Sequence, residues 1–246
     1  MYLCLDFDGV IADGIDECLV VSWLAWHNKT IPECPQNLLD SIPAKFRQEF
    51  NRLRSYVRHD EHFMAPFAIS TSNQLRSQRD FDSVFSTLDD DLIKQFTTKF
   101  QKTRMKLRHI HPDEWLAFHT LYAGIQSLFM AGHTIFIVSG KDTESIHEIC
   151  KTNNIQIEKN KIFGGLKSKT EVLQTLFTQS KINKVRMIFC DDNLPNVISS
   201  KALGIKTYWA RWGYHTEEHL EIAKNKSIDS ASLDLFLSIA RGDQLQ

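Results

Sequence analysis

Paired cysteines are missing from this 246-residue sequence. Its five cysteines, Cys4, Cys18, Cys34, Cys150 and Cys190, are scattered without a CxxC spacing. Cys4 and Cys190 fall inside apolar runs, so the set reads as buried thiols of a reducing compartment. An excess of charge is also missing: 29 Lys and Arg against 30 Asp and Glu give a formal net charge of -1. That balance offers no argument for nucleic acid or an acidic membrane surface as partner, and any electropositive site has to be local. No uninterrupted apolar run reaches membrane length, and no basic and apolar leader precedes the first strand, which starts at about Tyr2. The expectation is a cytoplasmic protein with no membrane partner. Repeats and low-complexity stretches are absent as well. The histidines lack ligand spacing, with His109 and His111 at i, i+2 and His215 and His219 at i, i+4 without supporting acids, which argues against zinc.

What is present is an alternation. Short apolar runs end in polar residues or glycine: YLCL before Asp6, HTIFIV (His133 to Val138) before Ser139, RMIF (Arg186 to Phe189) before Cys190-Asp191, and IKTYW (Ile205 to Trp209). Helix-period segments such as DTESIHEICKTN, KTEVLQTLFTQ and LPNVISSKALG lie between them. Strands alternating with amphipathic helices predict an α/β protein, a Rossmann-like parallel sheet with helices on both faces. Ligands of such sheets sit beyond the carboxyl ends of the strands, the rim where Asp6, Asp8, Ser139 and Asp191 would gather.

From about Gly14 to His111 the alternation breaks into helix-like runs with many aromatics and no convincing buried strand. This predicts a mostly helical insertion over 15–111 between core segments 1–14 and 112–246. Trp23, Trp26, Phe46, Phe50 and Phe63 are expected to pack its interior. Arg47, Arg52, Arg54, Arg58 and the basic stretch KFQKTRMKLRHIH read either as a solvated helix face or as an attractor for an anionic substrate. After the insertion, DEWLAFHTLYAGIQSLFMAG carries apolar residues at helical spacing and ends at Gly132, a candidate C-cap.

The stretch LDFDGVIAD poses the chemical question. Two carboxylates at i and i+2 on the end of a buried strand repel each other and are costly to desolvate unless a cation or a proton is shared with them. Their spacing can place both on one side, with Gly9 relieving the turn, so that one attacks and the other transfers a proton.

At these residues the chain resembles the haloacid dehalogenase superfamily of phosphotransferases. Its first motif, DxDGV or DxDGT, matches Asp6, Asp8, Gly9 and Val10. A Ser closing the second core strand matches Ser139 in FIVSGKD, with Gly140 beside it for phosphoryl oxygens. A Lys near a helix start matches Lys169 in GGLKSKTEVL, with Lys167 as the fallback. The acidic motif after a later strand matches Asp191 and Asp192 in MIFCDDNLPNV, and Asn196 stands where many members carry a second acid. The tail ARWGYHTEEHLEIA is similar to the WGY segment of the phosphoglycolate phosphatase-like branch.

The resemblance implies a Rossmann-like core with an inserted helical cap (C1 type) and a phosphatase that hydrolyses a small phosphorylated metabolite. It implies Asp6 as nucleophile, Asp8 as acid and base, Ser139 and Lys169 in the catalytic set, and Ser139, Gly140 and Lys169 on the phosphate. It also implies Mg2+ held by Asp6, Asp8 (through its backbone carbonyl) and Asp191, with Asn196 or Asp192 completing the shell, in a monomer or homodimer. A phosphomutase or a decayed binding protein are the alternatives. The dehalogenases lack the second acid of DxD, so Asp8 argues against that chemistry. Asp13, Asp192 and Asn193 also fit helix-capping roles.

Overall fold

The four apolar runs read as strands form the middle of a six-stranded parallel sheet in the computed structural model, which describes residues 1–182 and 186–242. Its strands are β1 (Tyr2–Leu5), β2 (Thr134–Val138), β3 (Ile162–Phe163), β4 (Met187–Asp191), β5 (Lys206–Ala210) and β6 (Ser230–Ala231). Their spatial order is β3-β2-β1-β4-β5-β6. β1 lies at the centre, paired in parallel with β2 and β4. Leu5 faces Ile137 on one side and Cys190 on the other, so the chain passes into Asp6, Ser139 and Asp191 at nearly one level. That register, more than any single side chain, gathers the polar rim.

Burial on both faces explains the continuous apolar runs. Cys4, Val138, Leu173, Met187, Phe189 and Ile205 form one fully or nearly fully buried cluster. Trp209 packs with Leu194, Val197 and Ala223 in another. The thiols behave as expected of buried groups: burial pushes Cys4, Cys150 and Cys190 well above the usual thiol range, while Cys34 is exposed.

The chain divides into two compact units, Met1–Asp13 with Leu121–Gln246, and Gly14–Thr120. The second unit exceeds the expected insertion of 15–111 by the helix Pro112–Ala117 and its flanks. The continuous helix expected up to Gly132 is likewise divided. Helix Pro112–Ala117 stops before the short strand Thr120–Leu121, and a separate helix spans Gln126–Met130. Gly124, at φ 82°, interrupts the pattern in the left-handed region that side chains avoid, and Gly132, at φ 71°, turns the chain toward β2.

Within the Gly14–Thr120 unit, helices Ile15–Trp26 and Asp90–Ile110 pack on each other. Its interior is a ring ladder in which Phe63 stacks between Phe50 (5.7 Å) and Phe100 (5.5 Å). Trp23, Trp26 and Phe46, expected in this interior, are only half-buried. The basic stretch separates by position: Lys99, Lys102 and Lys106 are exposed, whereas Arg104 is buried. Arg104 Nε donates to Glu17 Oε1 at 2.7 Å and Nη2 to Glu17 Oε2 at 3.2 Å, while Nη1 reaches Asp60 at 3.3 Å. Arg52 grips Glu49 and the carbonyls of Ser72 and Leu75, and Arg58 pairs with Asp82. These three arginines fasten the unit internally. Among the described residues, no helix is long and apolar enough to cross a membrane.

Candidate active site

Five side chains named in advance converge at the carboxyl ends of β1, β2 and β4 and on the loop before helix Thr170–Ile182. Asp6 leaves β1 with its backbone N–H on the Cys190 carbonyl at 3.0 Å. Its Oδ1 accepts the Phe7 N–H at 2.7 Å, and its Oδ2 meets Lys169 Nζ at 2.7 Å. Lys169 Nζ also donates to Asp191 Oδ2 at 2.8 Å, so one ammonium bridges the ends of two neighbouring strands. Lys167 is exposed, and Lys169 is the lysine that enters the site.

Burial opposes the charge of Lys169, but the Asp191 and Asp6 carboxylates outweigh it, and its pKa lies above the ordinary lysine value. Asp191 is fully buried, and its desolvation pushes its pKa up to about 7, Asp6 adding to the effect and Lys169 opposing it. Asp191 accepts from three donors. Its Oδ1 accepts the Asn193 N–H at 2.7 Å, and its Oδ2 accepts Asn196 Nδ2 at 3.0 Å beside Lys169. Asn196 therefore donates where an acid would repel Asp191. Asn193 holds the N-cap position of helix Leu194–Ala202 without a side-chain cap bond.

Asp8 is half-buried, and its Oδ1 is enclosed without a hydrogen-bond partner. The nearest cation is Lys141 Nζ at 3.6 Å, whose side chain has no exposure. Lys141 is a residue the sequence reading did not single out. The signal was available: like Lys169, it stands just ahead of a helix N-terminus, where positive charge is unfavourable. Ser139 is buried at the end of β2; its N–H donates to Phe163 and its Oγ accepts the Lys141 N–H at 3.3 Å. Asp142 then caps helix Thr143–Thr152 by accepting from Ser145 N at 2.9 Å.

The WGY segment also belongs to this neighbourhood. Trp212 Nε1 donates to the Val10 carbonyl at 3.1 Å, and the Tyr214 N–H to Asp192 Oδ2 at 2.9 Å. The Tyr214 hydroxyl donates to Asp13 Oδ1 at 2.5 Å. Asp13 thus anchors Tyr214, and the N-cap of helix Ile15–Trp26 is Gly14. Space is minimal here. A Cβ on Gly9, already at φ 83°, would come within 2.2 Å of Asp192 Oδ2, and one on Gly213 within 2.4 Å of the Gly9 carbonyl oxygen.

Oxygens of Asp6, Asp191 and Asp192 come within 4.8 Å of one another. With Asp8, four carboxyl groups gather near the ammonium groups of Lys141 and Lys169 in a mostly buried place, a surplus of acidic groups over those two lysines. An all-oxygen donor set with that surplus fits a hard divalent cation.

Solved structures with the same fold are distant in sequence. A haloacid dehalogenase-like hydrolase of Streptococcus pneumoniae is 14% identical with a TM-score of 0.58, covering 98% of each chain. A predicted phosphoglycolate phosphatase from Haemophilus somnus is 14% identical with a TM-score of 0.59, covering 99% of this chain and 97% of its own. A predicted phosphatase from Clostridium acetobutylicum is 14% identical with a TM-score of 0.60, covering 97% and 96%. No curated protein matches the sequence. The family model described as haloacid dehalogenase-like hydrolase matches residues 3–210, a span that contains Asp6, Asp8, Ser139, Lys141, Lys169, Asp191 and Asp192. The chain is a member of the haloacid dehalogenase-like hydrolase family.

Proposed function

We propose that this protein is a Mg2+-dependent phosphatase that hydrolyses a small phosphorylated metabolite through a phosphorylated Asp6. The observation that carries the reading is the bridge Asp6–Lys169–Asp191, with Asp8 two residues along and its Oδ1 without a hydrogen-bond partner. In the first step an Asp6 carboxylate oxygen attacks phosphorus, the ester P–O bond breaks, and Asp8 gives its proton to the departing oxygen. In the second step Asp8 takes a proton from water, whose oxygen attacks phosphorus and frees both inorganic phosphate and Asp6. Lys169 offsets charge on Asp6 and on the incoming phosphoryl group. Ser139, the N–H at Gly140 and the Lys169 ammonium offer donors to phosphoryl oxygens.

Asp6, the Asp8 backbone carbonyl and the acidic pair after β4 would hold Mg2+. Asp191 also positions Lys169, and Asn196 or Asp192 would complete the shell, directly or through water. When bound, the ion would supply charge neutralisation for the paired carboxylates and the phosphoryl oxygens. The Gly14–Thr120 unit is proposed as the cap that selects the leaving group.

The test is phosphate release from a panel of phosphomonoesters with Mg2+ or EDTA, on the parent and on Asp6→Asn. Release by the parent that falls at least about a thousandfold in Asp6→Asn and is lost in EDTA supports the reading. Release that persists in Asp6→Asn overturns the nucleophile, and conversion of sugar phosphate without free phosphate identifies a mutase instead.

A further inference from the structure

A second concavity lies in the core unit, away from the carboxylate rim. It is a cavity of about 640 Å³, within the range of small-molecule sites. His133 and Ile135 of its wall sit at the amino end of β2, whereas Ser139 follows the carboxyl end of the same strand. The five residues of β2 put the two places about 16 Å apart along the strand. Helix Thr143–Thr152 makes the same connection, since it begins just after Lys141 and ends by lining the cavity with His147 and Lys151, one turn apart on one face.

The lining has two characters. Phe129, Ile135, Ile155 and Ile157 supply apolar surface. His147 and Lys151 supply nitrogen donors. The remaining charges cancel: Lys161 Nζ pairs with Glu158 Oε1 at 2.6 Å, and the nearby Lys159 pairs with Glu144 at 2.5 Å. The balance of charge on the wall is therefore the positive charge of Lys151.

We infer that this cavity binds a small organic anion, a carboxylate or phosphate-type head on an aromatic or branched apolar body, at a site separate from the catalytic rim. The head group takes its hydrogen bonds from Lys151 and His147, and the body lies on Phe129 and the isoleucines. The inference is independent of the phosphatase reading, because it concerns binding alone.

The test uses 1-naphthoate and 1-naphthylphosphonate as probes, titrated into the full chain and followed by naphthalene fluorescence. Neither probe can be hydrolysed as a phosphomonoester, and comparing the two identifies the preferred head group. Saturable binding of at least one probe is expected, weakened at least tenfold by Lys151→Glu, lost when Ile157→Trp fills the cavity, and retained in Asp6→Asn. Lys151 is exposed, so its substitution leaves folding intact. Absence of saturable binding by both probes, or binding that neither Lys151→Glu nor Ile157→Trp alters, overturns the inference.

Discussion

Each unit of this protein buries one cation between two carboxylates, yet the two clusters do opposite things. In the Gly14–Thr120 unit, Arg104 meets Glu17 in a two-pronged contact, reaches Asp60, and lies over the Phe100 ring at 4.5 Å. A planar guanidinium suits that closed arrangement, and Glu17 has both oxygens held. In the core, Lys169 bridges Asp6 and Asp191 with a compact ammonium, and further acids, Asp8 and Asp192, stand close by. In the first cluster both Glu17 oxygens are held by Arg104, and the partly exposed Asp60 also accepts from Gln101, so its members are tied to one another and serve as a fastener. The second gathers the oxygens of Asp6, Asp191 and Asp192 and leaves Asp8 Oδ1 enclosed without a hydrogen bond, which is a poor way to stabilise a fold and a suitable way to receive a cation and a phosphoryl group.

This contrast can be broken experimentally. The largest effect is expected from Lys169→Met, which should lower phosphate release at least about a hundredfold while near-normal far-ultraviolet dichroism is kept, as for other groups acting on transition-state charge. Arg104→Met should lower unfolding stability by about 3–5 kcal/mol in urea titrations, because it strands the Glu17 carboxylate, which has no exposure. Asp8→Asn should act in the opposite sense, abolishing turnover yet raising stability by up to about 1 kcal/mol in the metal-free protein, since it removes one of the surplus charges. A metal-free Asp8→Asn protein that melts earlier than the parent would erase the distinction between site and fastener.

The smallest effect concerns a buried group kept without charge. His219 is buried, and burial, aided by His215, depresses its pKa to about 4. A depressed histidine favours folding in its neutral form. Its contribution is complete above the ordinary value near 6.5 and is lost as pH falls from there toward 4. His219→Leu should therefore flatten the decline in melting temperature between pH 7 and pH 5 relative to the parent.

Much of the core could be read in advance because buried parallel strands have to be apolar and have to end abruptly. Tyr2–Leu5 and Thr134–Val138 show both properties, and the polar residues just beyond them became rim residues. Ile162–Phe163 and Ser230–Ala231 were not legible, since a pair of residues carries no periodicity. The break at Gly124 within an apolar pattern was hidden for the related reason that a backbone turn need not disturb side-chain spacing. Arg104 was hidden because composition describes it as an exposed cation, and only partners far along the chain, Glu17 and Asp60, make it interior, whereas Lys141, just ahead of a helix N-terminus, was legible in principle. Asn196 was visible as a departure, but its meaning as a donor to Asp191 required the geometry.

The tight approach of Gly9 and Gly213 to Asp192 bears on protein engineering. Any attempt to transplant the DFDG loop into another scaffold would carry an incomplete module unless Trp212–Tyr214 travelled with it. The two segments sit about 200 positions apart in the chain, yet they are machined to a shared tolerance narrower than one methyl group.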